Sequence, residues 1–491
     1  MYYQDQQPIS VVQGTPVQAT AVPSSFQKQE YSNQQQSQSE PILLQNHVTE
    51  TGGDYNGFKG TQQPMAYNDL FFALLFYVHL AVMAVVLLFA IGSVNGGENN
   101  GYDYTGVIYA TVVCAVFAVG MSTLALGFMM RNATELVKLS LFFSILCNFV
   151  VGILGVMSGQ ILMGAVGLLC FAISICYAFA VQSRIPFAAA NLNTALTAVK
   201  ANLGLAVYAY VMLALALVWS VWWNVATGGL MYSYGSGVLF LFLLSFYWTH
   251  QVLQNTLHVT TAGTIGTWWF APNEASSYCS SALTDSFARA TTYSFGSICF
   301  GSLLVATVQA LRTLQNILRD KEDFNFLVCI ISCILALIQG IIEYLNQWAY
   351  VYVGLYGYSY LEAGKNVMTL FRNKGWSTII TDDLASNVLF MVSVGIGLLT
   401  GLVGLILASI DKNIFAGIGY EENVGSVGFI IGLLVGFLLC SVHMSIVASA
   451  VNTVIVCYAE APAEFEQNHP VLSAHMRSAW IEAYPMECAN F

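Results

Sequence analysis

Charge is what this sequence has least of. Lys, Arg, Asp and Glu make up 8% of its 491 residues, against 57% that are hydrophobic. A soluble domain carries about 25% charged residues, so the composition excludes a water-facing globular surface and leaves an integral membrane protein. Basic residues are the scarcer sign, 15 Lys and Arg against 26 Asp and Glu, for a net charge of −11. That balance, carried mainly by tails and loops, gives no basic footprint for nucleic acid. The first residues also lack a basic stretch followed by an apolar core, so no cleavable signal peptide is expected.

The motifs of chemistry are missing as well. The chain holds 11 cysteines, but no Cys-x-x-Cys or Cys/His cluster, so no metal site is expected. Most of them, such as Cys114, Cys170, Cys299 and Cys440, sit inside apolar runs and act there as small hydrophobes. There is no P-loop, no G-x-S-x-G, no H-E-x-x-H and no useful pair of carboxylates. The expectation is therefore no enzyme and no cofactor. No internal repeat is visible, which removes the usual pointer to an inverted-repeat transporter. The one glycosylation sequon, Asn132-Ala-Thr134, falls at an inward helix end and should stay unmodified.

What is present divides the chain in three. Residues 1–68 hold 14 glutamines, many serines and few apolar clusters, which reads as a disordered cytosolic tail. Residues 69–458 form the membrane domain, and 459–491 a cytosolic C-terminal tail. Since a span needs about 20 apolar residues, ten are read: 70–92, 105–130, 135–157, 160–182, 202–225, 236–258, 293–311, 326–348, 384–410 and 426–457. The expected fold is all-α, a polytopic membrane protein of about ten transmembrane helices with both termini cytosolic.

Basic residues test that threading. The outward loops at 93–104, 158–159, 226–235 and 411–425 carry Lys412 alone, while Arg131, Lys138, Arg184, Lys200, Arg289, Lys365, Arg372, Lys374 and Arg477 fall inward. Arg312, Arg319 and Lys321 disagree if 293–311 and 326–348 both span, unless one of those segments re-enters. The stretches 183–200 and 360–383 are too polar to cross and have helical spacing, so they read as cytosolic helices lying on the bundle.

Polar matter at membrane depth is the remaining signal. In "QVLQNTLHVTTAGTIGTWWF" (251–270) and the residues before it, Trp248, Gln251, Asn255 and His258 fall within about 80° on a helical wheel. Buried amides and imidazoles are costly in lipid unless partnered, so this stripe faces either a neighbouring helix or a watery cavity. Glu343, in "IQGIIEYLNQWAY", is the one carboxylate well inside an apolar run. It marks a functional site or an interfacial side chain reaching for water. Aromatic residues, 13% of the chain, serve interfacial belts. Aromatic faces with few formal charges also suit a quaternary ammonium, which has no N–H to donate. Glycine-rich runs such as "GIGLLTGLVG" (395–404) suit close helix approach.

The 251–270 stretch resembles the Q-x-x-x-N-x-x-H-V-T block of the choline transporter-like family. "SFGSICFGSLLVA" (294–306), "NQWAYVYVGLYGYSY" (346–360) and "VNTVIVCYAEAPAEFEQNHP" (451–470) are similar to further blocks in the same order. Asn452 and Ala461 stand where the family commonly has acids. The short first outward loop and polar N-tail look most like the fungal and protist branch named for a pH-nine-sensitive growth phenotype. The resemblance implies a plasma-membrane (or internal-membrane) carrier of a small choline-like organic cation in contact with lipids, working by uniport or proton-linked exchange. For such a substrate, the polar stripe with its aromatic head and the carboxylate inside an apolar run make Trp248, Gln251, Asn255, His258 and Glu343 the expected contacts. A non-transporting scaffold or lipid-associated protein of the same fold is the competing expectation.

Overall fold

The computed structural model describes residues 66–94, 105–228, 236–319, 326–375, 384–411, 414–415, 423–486 and 488. Residues 1–65 of the expected N-terminal tail and most of the outward loops, with Lys321 and Lys412, lie outside them. Among the described residues every regular element is helical. Ten α-helices are long: α1 (Leu70–Val94), α2 (Thr105–Arg131), α3 (Ala133–Met157), α4 (Ile161–Ala180), α6 (Gly204–Gly228), α7 (Ser236–Phe270), α9 (Phe295–Arg319), α10 (Phe326–Tyr356), α12 (Leu384–Ile410) and α13 (Val424–Glu460). Five are short: α5 (Ile185–Ala201), α8 (Ser281–Thr291), α11 (Tyr360–Lys374), α14 (Pro462–Asn468) and α15 (Pro470–Ala483).

Each expected span coincides with a long helix, and the chain is a polytopic α-helical membrane protein. Eight of the ten are long and apolar enough over their described residues to cross a bilayer. The other two are α7 and α10, which carry the polar residues singled out above. At 1.5 Å per residue α7 runs about 52 Å, well beyond a bilayer core of about 30 Å. The surplus stands at one end of the bundle, among the short helices.

Small residues set the closest helix contact. Gly397, Gly401 and Gly404 of α12 face Gly428, Gly432 and Gly436 of α13, and a Cβ on Gly404 would lie 2.0 Å from the Gly428 carbonyl. Lipid tails are as apolar as leucine, so such helices associate through close packing and not through the hydrophobic effect. α3 and α4 pair in the same way through Gly152, Gly155, Gly164 and Gly167. Apart from those glycines α4 exposes most of its length, including Ile161, Leu162 and Phe179, an apolar surface suited to lipid.

Two segments depart from the expected surface elements. α5 was read as a helix lying on the bundle, yet Phe187, Leu192, Leu196 and Val199 are all buried. Its many alanines make it thin enough for α3, α13 and α15 to close on it from several sides. The region read as a C-terminal tail is also folded, with Phe465, Met476 and Trp480 of α14 and α15 fully buried. α11 covers the described part of 360–383 as a helix lying on the bundle, with Tyr360, Ala363, Val367 and Phe371 forming one buried face, while 376–383 lie outside the described residues. It stops at Gly375, whose φ of 72° ends the helix in the left-handed region.

Candidate functional site

The polar residues of α7 divide into two groups. Trp248 and Asn255 turn toward α9. Trp248 is 4% exposed, its indole Nε1 donates to the Cys299 carbonyl at 3.0 Å, and Phe76 and His79 pack its ring at 5.1 and 5.2 Å. Trp248, expected as a substrate contact, is thus packed against the protein's own rings. Asn255 donates from Nδ2 to Ser302 Oγ at 2.9 Å, and Ser302 Oγ lies 3.5 Å from the Tyr350 hydroxyl, which donates to the Ile298 carbonyl.

Gln251 and His258 belong to the second group, joined by Gln254, which the sequence reading passed over. With Tyr247 they fall within about 60° on the wheel. This face points into the bundle. Gln251 Nε2 donates to Gln309 Oε1 of α9 at 3.4 Å, and His258 Nδ1 lies 3.0 Å from Ser449 Oγ of α13. The His258 ring sits 6.1 Å from that of Tyr350 on α10. Its Nε2 is buried without a well-formed hydrogen bond, although the Gln347 backbone is close enough to act on the ring. Gln254 is nevertheless exposed, and Gln251, His258 and Gln309 are partly so.

α10 supplies the matching wall. Gln339, Glu343, Gln347 and Tyr350 fall within about 80° of one another. Among the described residues the large apolar side chains exposed on this helix, Ile334, Leu337, Ile338, Ile341 and Leu345, lie on its opposite side. Glu343 is exposed too, on the side of α10 opposite those apolar residues. Its Oε1 accepts from Gln339 Nε2 at 2.7 Å, and Gln339 Oε1 in turn accepts from the Arg312 guanidinium of α9. Arg312, the residue that strained the charge rule, is held inside the bundle by this chain of amide and carboxylate. Accessible Gln254 and Glu343 on inward faces form a polar surface between α7, α9, α10 and α13.

Of the five expected contacts, the structure puts Gln251, His258 and Glu343 on this accessible surface. Trp248 and Asn255 hold α7 against α9 behind it. Gln254, Gln309, Gln347, Tyr350 and Ser449 had been missed. Gln254 was legible at three and four residues from Gln251 and His258, while the rest depend on which helices are neighbours. Among the described residues no three His, Cys, Asp or Glu side chains gather as metal ligands would.

The end of the bundle beyond this surface is closed. Trp269 stacks on Phe465 at 3.9 Å and 9°, and its Nε1 donates to the Ala461 carbonyl at 3.0 Å. Trp268 stacks on His469 at 4.0 Å. Asn468 Nδ2 donates to the carbonyls of Trp269 and Phe270. Asp69, at the start of α1, accepts from Ser297 Oγ at 2.7 Å and from the Tyr360 amide at 2.9 Å, tying α1 to α9 and to the N-terminus of α11. Burial holds the His469 imidazole below its ordinary pKa.

A family model described as a plasma-membrane choline transporter matches residues 165–463. Among curated proteins, the chain is 28% identical over 446 residues to a CTL-like protein of Dictyostelium discoideum, covering 86% of this chain and 76% of that one. It is 32% identical over 252 residues to Protein PNS1 of Mycosarcoma maydis, 50% of this chain and 46% of that protein. With Protein PNS1 of Gibberella zeae it shares 29% identity over 328 residues, 62% and 59% of the two chains. The match therefore spans roughly half the length of these fungal relatives.

Proposed function

We infer the task of this protein from one premise: the chain belongs to the choline transporter-like family. We propose that it carries choline or a closely related organic cation across the plasma membrane, with the polar surface between α7 and α10 as the route. The observation that carries this reading is the accessible inward face holding Gln251, Gln254, His258 and Glu343 in a bundle otherwise closed by apolar packing. Amide and hydroxyl oxygens offer partial negative charge to a quaternary ammonium, and Glu343 offers a formal charge. Trp248 and Asn255 act from behind, by holding α7 in register against α9.

Energetics make a coupling ion unnecessary. An interior negative by 100 mV favours a monovalent cation by about 2.3 kcal/mol, or roughly fifty-fold accumulation. The test is radiolabelled choline uptake in cells lacking their own choline transport, with surface expression measured alongside. Saturable uptake that grows with an inside-negative potential is expected. A pH-gradient dependence at clamped voltage would change uniport to proton-linked exchange. Surface-expressed protein with no uptake above control would sink the transport reading and leave the non-transporting scaffold.

A further inference from the structure

We propose a second organic-cation site at the closed end of the bundle, formed by Glu460 with Tyr352, Tyr356 and Tyr358. Glu460 is the last residue of α13. Its Oε1 accepts from the Tyr352 hydroxyl at 2.9 Å and its Oε2 from the Tyr356 hydroxyl. Both tyrosines come from the last turn and a half of α10. Tyr358 follows in the linker to α11, where Gly357 turns the chain at a φ of 67°. The Tyr358 ring lies 5.4 Å from that of Tyr356 and 6.3 Å from that of Tyr352, nearly parallel to both. Tyr352 and Tyr356 are fully buried, whereas Tyr358 and Glu460 are partly open.

Three sources of negative potential meet here. The first is a carboxylate whose contacts among the described residues are the two tyrosine hydroxyls, with no cationic side chain paired to it. The second is the C-terminus of a 37-residue helix, where the macrodipole makes an anion unfavourable unless something offsets it. The third is the π faces of the tyrosines. The hydroxyls hold the carboxylate in place but add no positive charge, and they occupy only two of its roughly four lone-pair directions. A cation lodged between Glu460 and the partly exposed Tyr358 satisfies all three. Aromatic faces with a single carboxylate suit an ammonium without N–H donors better than a metal ion, which wants several oxygens.

The site's place in the fold gives it a role. It lies on the same helix as Glu343, Gln347 and Tyr350, with Tyr356 about 9 Å further along α10 than Tyr350. That end is closed in this structure, so the site serves as a holding station at the mouth of the route once the closed end parts. This rests on the proposed function for the role, while the chemistry of the site stands without it. A free quaternary ammonium and the headgroup of a choline phospholipid share that chemistry.

The experiment is equilibrium binding of radiolabelled tetramethylammonium to the purified full chain in detergent, with melting temperature recorded for every variant. Glu460→Gln should weaken binding at this site at least about tenfold, and Tyr358→Leu by about 2- to 30-fold. Displacement by short-chain phosphatidylcholine at micromolar concentration marks a lipid headgroup as the occupant, and its failure marks the free solute; either supports the site. A folded Glu460→Gln protein that binds like wild type overturns it. If that variant does not fold, unchanged binding by Tyr358→Leu overturns it instead. Failure of choline uptake with Glu460-dependent binding intact would defeat the transport reading alone.

Discussion

The two ends of α7, α10 and α13 are built on opposite plans. At the closed end every residue is buried over Val259–Trp269 of α7, Trp348–Tyr356 of α10 and Thr453–Ala459 of α13. Nearer the middle, α7 turns accessible amides and an imidazole inward. Both stretches of α7 are polar, yet their polar groups differ in kind. Thr256, Thr260, Thr264 and Thr267 each donate to the carbonyl four residues earlier, at 2.7–2.9 Å. A threonine hydroxyl can thus be satisfied by its own helix and packed like an apolar residue. The amides of Gln251 and Gln254 have two donors and an acceptor each and no such local solution, so they need neighbours, water or a ligand. The lesson is that counting polar residues does not find the accessible polar face, whereas asking which of them their own helix can satisfy does.

The sharpest way to break this comparison is at the closed end. Trp269→Ala removes the stack on Phe465 and the bond to the Ala461 carbonyl, and should cost about 3–5 kcal/mol of stability. Thermal unfolding of the detergent-purified protein checks it. A loss below about 1 kcal/mol would mean that this end is not held by its aromatic core.

A paired substitution on α7 separates support from surface. Asn255→Ala leaves a buried network around Ser302 short of one donor and should cost about 1–3 kcal/mol. Gln254→Ala, on the accessible face, should leave stability within about 0.5 kcal/mol while still reducing choline uptake. Equal destabilisation by the two would erase the distinction between the faces.

Accessibility gives a third test. In a background whose native exposed cysteines are replaced, Gln254→Cys should react with a small soluble thiol reagent about tenfold faster or more than Thr264→Cys, because the latter must await local opening. Comparable rates, measured by mass spectrometry on the purified protein, would show that the closed end is as open as the middle.

The smallest effect concerns pH. His469 lies outside the spans, stacked on Trp268, and burial lowers its pKa. A histidine kept neutral by the fold binds fewer protons folded than unfolded, so stability falls as pH drops below about 6.5 and is flat above it. The wild-type melting temperature should therefore decline between pH 7 and 5, and His469→Phe, which keeps the stack, should flatten that part of the decline. An unchanged slope in His469→Phe would assign it to other groups.

Much was legible in the one-dimensional pattern. The helical class, the positions of the ten long helices and the polar stripe of α7 follow from apolar run length and a 3.6-residue period, which depend only on neighbours along the chain. Gly397, Gly401 and Gly404 announced a close helix contact before their partner helix was known. The folding of α14 and α15 was not legible, because residues such as Phe465 and Trp480 read as isolated aromatics in a polar setting until α7 and α5 are beside them. The burial of α5 escaped for the same reason: its alanines fit either a surface or a crowded core.

The sequence by itself determined that this protein lives in a bilayer as a bundle of helices, since its few charges cannot cover a water-facing surface and its apolar runs match the bilayer's thickness. Only the tertiary structure decided which polar groups are spent on packing and which stay open. Trp248 and Asn255 went to α9, Gln254 and Glu343 stayed accessible, and Glu460 met two tyrosines from a helix more than a hundred residues away in sequence. The reason is that hydrogen bonding in lipid is settled between helices, and the identity of the facing helix is not written in either one alone.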